Sequence, residues 1–293
     1  MGSLKALTLA GAVAMLAIPT APISAAHAAD LLPPAPQLEP PPLRGPIDDS
    51  GFYLRGDVGV GMNEASNLNS TFATGATLAS LGAWDGPVNV GDSTIIGFGF
   101  GYQFNSWFRA DITAEYRSSA SYNSKVYYQY TGGGSNCPVG GPTACGDNYS
   151  GSTRVGLFLA NGYVDLGNWM GLVPYLGAGI GFATYGMSGV TDISMSQPNA
   201  FGTAPSQSGT DFAWALMAGL GYHVTPNLVL DMRYRYVDMG TFNTGAIACN
   251  GGLTTGCAYE TQHYNMVSND LTLGMRWLLL PVAAPAPVLQ TRY

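Results

Sequence analysis

Ser268, His263 and Glu260 lie within residues 260–268, and a hydroxyl, an imidazole and a carboxylate are the groups a nucleophile, its base and an orienting acid require. No recognised nucleophile motif surrounds them. Beyond the first 28 residues the only other histidine is His223. The four cysteines form two C-x7-C pairs, Cys137/Cys145 and Cys249/Cys257. Zinc would want C-x2-C-like spacing with histidines at hand. In an exported chain a local disulfide in each segment is the simplest of the three connectivities, stabilising each loop by roughly 2–3 kcal/mol. Glycines recur as strict GxGxG at Gly97, Gly99 and Gly101 and at Gly177, Gly179 and Gly181. That spacing differs from the GxGxxG of nucleotide loops and has no helix after it. No metal and no cofactor are expected.

A larger set of polar chemistry sits at alternate positions. In WFRADITAEYR, 107–117, Phe108, Ala110, Ile112, Ala114 and Tyr116 alternate with Arg109, Asp111, Thr113, Glu115 and Arg117. Side chains on a strand point to opposite faces with period two, so one face is apolar and the other charged. The same alternation elsewhere gathers Arg55, Asp57, Arg109, Asp111, Glu115, Arg117, Asp165, Asp231, Arg233, Arg235, Asp270 and Arg276 on one side. Six are basic and six acidic, and arginine, whose planar fork favours fixed bidentate pairs, supplies every cation.

The elements that must position these residues are strands, at about 51–62, 92–104, 107–117, 153–166, 172–185, 211–224, 227–238 and 267–278. Tight turns at Asn105-Ser106, Gly167–Gly171 and Thr225-Pro226-Asn227 alternate with long connections at 63–91, 118–152, 186–210 and 239–266. An even number of antiparallel strands with short turns at one end and long loops at the other is the plan of an outer-membrane barrel. The expected fold is therefore all-β: an eight-stranded antiparallel up-and-down transmembrane β-barrel with long external loops and short periplasmic turns.

The faces decide which kind of barrel this is. Opposite the charges run Leu54, Val58, Val60, Ile96, Phe98, Phe100, Ile112, Ile180, Phe182, Leu216, Leu220, Leu228, Leu230, Met232, Leu271 and Leu273, with Phe52, Phe104, Trp107, Trp169, Tyr222 and Trp277 near the short turns. A lipocalin-like barrel would turn that set inward. An apolar band with an aromatic girdle belongs in lipid, and the charges must then face in. Balanced charge in so small a lumen can pair almost completely, which predicts a plugged barrel with little conductance. The stretch Val155–Leu159 is apolar on both faces, which calls for a bulge or a partly apolar upper interior. The glycine runs are read as room for long arginines from neighbouring strands.

The ends and composition agree. Lys5, an apolar stretch from Ala6 to Ile18, and Ala26-His27-Ala28 read as a secretory signal peptide cleaved near Ala28. The expected layout is a signal peptide at 1–28, a Pro-rich periplasmic spacer at 29–50, the barrel at 51–279 and a Pro-rich tail at 280–293. Forty glycines and 17 tyrosines with 10% charged residues suit turns and aromatic belts rather than a helical enzyme. A net charge of −7 and only two lysines make a poor nucleic-acid binder. Around the long loops, Glu64, Asp85, Asp92, Asp147, Asp192, Asp211, Asp238 and Glu260 face only Lys125 and Arg154. This acidic crown is read as a solvated surface, with bridging of lipopolysaccharide phosphates by divalent cations as the sharper option. Tyr122, Tyr127, Tyr128 and Tyr130 beside Lys125 suggest that the hairpin of the third and fourth strands continues above the membrane.

GFYLRGDVGVG (51–61), NGYVDLG (161–167), PYLGAGIG (174–181), RYRYVDMG (233–240) and NDLTLGMRW (269–277) resemble the opacity-like, OmpA-type small outer-membrane barrels of alphaproteobacteria, the immunogenic "porin family" proteins. The resemblance covers roughly residues 51–278. It implies an abundant, surface-exposed envelope protein for which adhesion or host contact is expected, and it transfers no catalytic residues. Members usually end at the last strand on an aromatic residue read by the barrel-assembly machinery, whereas here Trp277 is followed by LLLPVAAPAPVLQTRY. No peptidoglycan-binding domain is expected after it. Expected partners are outer-membrane lipid and lipopolysaccharide, the assembly machinery during insertion, and host or cell-surface partners through the loops. A structural, surface-interacting barrel of the bacterial outer membrane is the leading reading. A narrow low-conductance pore comes second and a lipid-modifying barrel enzyme third.

Overall fold

The computed structural model describes residues 50–71, 84–128, 145–195, 201–250 and 260–279. The expected signal peptide at 1–28, the expected spacer up to residue 49 and the expected tail at 280–293 lie outside these residues. Eleven strands follow in order: β1 (Gly51–Ser70), β2 (Trp84–Val90), β3 (Ser93–Gln103), β4 (Phe108–Tyr128), β5 (Cys145–Asp165), β6 (Leu172–Ser194), β7 (Phe201–Thr203), β8 (Gln207–His223), β9 (Leu228–Asn243), β10 (Ala248–Asn250) and β11 (Gln262–Leu278). All pairings are antiparallel. The ring runs β1–β3–β4–β5–β6–β8–β9–β11 and closes where β11 returns to β1, from Tyr53 against Leu278 to Ser70 against Gln262. Closure leaves no unpaired strand edge among these eight, the condition a β-structure must meet in lipid.

The outer surface is the expected apolar band. Phe98, Ile112, Ile180 and Leu273 are among its most exposed side chains, and Phe52, Phe104, Trp107, Trp169, Tyr222 and Trp277 are all about half exposed at the short-turn end. Stacked or edge-on contacts of Phe52, Phe100, Tyr102, Phe104 and Phe108 tie part of that girdle together. The short turns are closed by side chains with local acceptors. Asn105 Oδ1 accepts from the backbone N–H groups of Trp107 and Phe108, and Asn168 Oδ1 accepts from Gly171. Met170 and Gly171 turn the β5–β6 chain at φ 54° and 90°, a backbone region glycine reaches without penalty.

The strands are much longer than their alternation suggests. β4, β5 and β6 run 21, 21 and 23 residues, whereas about 9–11 cross a bilayer. The surplus stands on the extracellular side and includes residues read from sequence as loop. Within the expected connections 63–91, 186–210 and 239–266 the structure forms three short strands as well. β2 pairs with β4, and β7 joins β6 to β10. Register shifts between Arg117 and Ala120 on β4, and between Ser150 and Ser152 on β5, mark the change from membrane wall to extension.

Candidate functional site: the two halves of the barrel interior

Six arginines and six carboxylates occupy the lower interior, and all twelve are at most 6% exposed. They come from β1, β4, β5, β9 and β11, while β3, β6 and β8 present none. Arg55 donates through Nε and Nη2 to Asp57 and through Nη1 to Asp111, each at 2.9 Å. Arg235 forks onto Glu115 at 2.6 and 2.5 Å and also reaches Asp270 Oδ2 at 2.7 Å. Arg117 completes the bidentate grip on Asp270 at 2.9 and 2.6 Å. Arg276 pairs with Asp231 at 2.6 Å, and Arg109 with Asp165 at 3.1 Å. The Arg109 guanidinium lies 4.2 Å from the Tyr163 ring and 4.4 Å from that of Tyr175, so aromatic faces supply attraction that its unbonded Nη atoms do not. Arg233 is the loosest member. Its Nε donates to Thr272 at 3.3 Å, while Nη2 stands 3.6 Å from Asp57 and 3.8 Å from Glu115.

Polar side chains finish the network. Asp111 accepts from Tyr53, Arg55, Asn161 and Tyr163. The glycines of β3 and β6 create space less specifically than expected. A Cβ at Gly99 would strike Arg55, but one at Gly97, Gly101, Gly177 or Gly179 would strike Glu115, Tyr53, Tyr163 or Asn161, and one at Gly181 the backbone of Phe158. Room is made for several side-chain types, and for an arginine at one position.

The upper interior is different. Val155, Leu157 and Leu159 point inward with Ala183, Ala213, Ala215, Met217 and Val237. The two-faced apolar run on β5 therefore reflects an apolar upper wall, not a bulge. Above it Tyr185 stacks on Phe242 at 4.2 Å and Tyr122 on Tyr264 at 5.0 Å. Hydrogen bonds then cross the mouth. Tyr122 and Ser124 on β4 donate to Gln262 Oε1 at 2.6 and 2.7 Å. Tyr149 on β5 donates to Glu260 Oε2 at 2.7 Å, and Ser70 at the end of β1 donates to Glu260 Oε1 at 2.5 Å.

Two sequence expectations are corrected here. Ser268 and His263 are five residues apart, an odd spacing that puts them on opposite faces of β11. Ser268 is buried, donating to Asp270 at 2.6 Å and accepting from Arg117 at 3.1 Å. The His263 ring instead meets Asn243 at 2.6 Å, and Glu260 belongs to the mouth, so the three form no constellation. The acidic crown is likewise not uniformly solvated: Asp147, Asp192 and Glu260 are buried, at 9%, 9% and 5% exposure. Of the cysteines, Cys145 is buried on β5. Cys137 and Cys257 lie outside the described residues, as do Tyr130 and the side chains of Tyr128 and Cys249.

A closed ring with an apolar exterior and a charged, filled interior defines an outer-membrane β-barrel. Residues 23–267 match the family model described as the outer membrane protein beta-barrel domain, and the chain belongs to that family. It is a protein of the bacterial outer membrane. It is 34% identical over 235 residues to an uncharacterized protein of Brucella suis, covering 73% of this chain and 76% of that one. It is also 26% identical to a candidate adhesin of Rickettsia rickettsii, covering 78% and 88%. Among solved structures, OprG of Pseudomonas aeruginosa aligns over 79% of this chain and 97% of its own, with a TM-score of 0.43 and 14% identity.

Proposed function

We propose that this protein is a structural outer-membrane barrel, closed by its own charge network, whose extracellular strand extensions and loops make surface contacts. The observation that carries this reading is the projection of β4, β5 and β6 beyond the lipid-facing band. On the outer face of that projection Trp84, Ile193, Met195 and Phe201 are exposed and Trp84 stacks on Tyr127 at 5.8 Å. Between this row and the band lie Ser119, Ser121, Asn123, Ser150, Ser152 and Arg154. Aromatic and aliphatic side chains held above a polar collar, clear of lipid, suit contact with another surface. Adhesion is the form of contact that the Rickettsia relative's description suggests, with host or cell-surface molecules as partners. Cys137–Cys145 and Cys249–Cys257 bridges would staple two of the loops, and lipopolysaccharide would surround the band. The signal peptide, cleaved near Ala28, and the barrel-assembly machinery would deliver the chain to its membrane.

A second reading, a narrow pore, has one observation in its favour: both Nη atoms of Arg233 lack hydrogen-bond partners at the centre of the network, as beside a thread of water. Catalysis has no such support. Expression of the chain on a non-adherent bacterium tests the leading reading. Attachment to epithelial cells or matrix should rise, and should fall when Trp84, Ile193 and Phe201 are replaced by serine. Attachment equal to that of the empty strain would sink it.

A further inference from the structure

The acids at the extracellular mouth have no counterpart in the network below. Asp147 and Tyr149 on β5 pair in register with Ser194 and Asp192 on β6, so all four project into one space, and Glu260 reaches into it from two residues before β11. Asp147 is hydrogen-bonded to Ser194. Glu260 is held by Ser70, Tyr149 and Gln262. Asp192 Oδ1 is buried without a hydrogen-bond partner. The other titratable groups facing this space are Asp85 from β2, whose Oδ1 accepts from the Ser70 backbone at 3.1 Å, Tyr122 from β4 and Tyr264 from β11. The two basic residues of the extensions, Lys125 and Arg154, are exposed on the outer face. The ion pairs of Arg55, Arg109, Arg117, Arg233, Arg235 and Arg276 all lie in the lower interior.

Buried carboxylates without a cation must either take up protons or acquire a cation. Among the described residues no three acidic, histidine or cysteine side chains converge as a metal-binding group, which favours the proton. We propose that Asp147, Asp192 and Glu260 form a proton-operated latch. When they are protonated, the extensions of β5 and β6 and the segment leading into β11 stay packed across the mouth. When they ionise, their mutual repulsion parts them.

The direction follows from the surroundings. Burial, then Asp147 and Glu260, push the Asp192 carboxyl up to about 8. Burial, opposed by the Ser194 hydrogen bond and reinforced by Glu260, lifts Asp147 to about 6. Burial also raises Glu260 against the three hydrogen bonds that lower it. An acid that titrates higher in the folded state binds its proton more tightly there. Its contribution to stability is complete below the ordinary carboxylate range and is lost as pH climbs through its folded value. The latch is thus tight in acid, partly released near pH 6 and open above about pH 8. It deepens the surface-contact reading by regulating how the outer face is presented, yet its test does not depend on adhesion.

The test is hydrogen–deuterium exchange of the refolded full-length protein in lipid nanodiscs from pH 5 to 9, corrected for intrinsic amide chemistry. Amides of 146–150 and 190–194 should exchange about tenfold faster or more at pH 9 than at pH 6, while those of the membrane wall stay unchanged. Asp192→Asn should remove the step near pH 8, and Asp147→Asn the step near pH 6. Native folding of each variant is checked by its heat-dependent gel shift. A flat wild-type profile would overturn the latch even if neither variant folds, and so would a folded Asp192→Asn protein that keeps the alkaline step. A step abolished by millimolar calcium would also overturn it, reassigning the cluster to a divalent cation.

Discussion

Glu115 in the lower interior receives both arms of Arg235 and lies near Arg233, whereas Glu260 in the upper interior is met only by two hydroxyls and an amide. Both carboxylates are about 95% buried, and the same physics acts on each: removal from water penalises the charge unless something compensates it. The lower half compensates with arginine, and the result is fixed geometry. Among the described residues the upper interior has no cation, and the result is sensitivity to protons. Rigidity is therefore placed where the barrel must survive in lipid, and responsiveness where it meets the outside.

Breaking the lower half should cost most. Arg235→Met strands Glu115, leaving it only Arg233 at 3.8 Å, while Asp270 keeps Arg117, and about 3–5 kcal/mol of stability should be lost in urea unfolding followed by gel shift. Adding Glu115→Gln should recover part of that loss, since one stranded charge is removed. A double substitution as unstable as the sum of the two singles would deny the pairing. In the upper half Phe242→Ala empties a fully buried ring position between Tyr185 and Tyr264 and should cost about 3 kcal/mol in the same assay. Tyr149→Phe takes one donor from Glu260 and should cost about 1–2 kcal/mol. It should also move release of the mouth to higher pH in hydrogen exchange, because that hydrogen bond favours the ionised carboxylate. The smallest effect belongs to the outer wall, where Tyr234→Phe loses a bond to Asn269 and should cost about 1 kcal/mol or less.

The lower half was readable because period-two alternation survives wherever one face meets lipid and the other a charged lumen. Arg109, Asp111, Glu115 and Arg117 show it within one strand. The upper half was harder to read for a physical reason. Outside the bilayer each face mixes polar with apolar side chains, so Ser119, Ser121 and Asn123 alternating with Ala120, Tyr122 and Ser124 give weak contrast and look like loop. The acids misled in another way. Sequence shows that Asp147, Asp192 and Glu260 lack basic neighbours, but only the pairing of β5 with β6 turns them into one enclosed space. The separation of Ser268 from His263 was hidden for the same reason: sequence puts His263 in the connection 239–266, and only the extension of β11 back to Gln262 sets both on one strand, at an odd spacing that faces them apart.

That twelve paired charges close the lumen is the central claim, and current through the protein refolded into a planar bilayer tests it most directly. The wild type should show no stable, large open state, and Arg235→Met should admit measurable current where the network is broken. A steady, large conductance in the wild type, unchanged by Arg235→Met, would contradict the account.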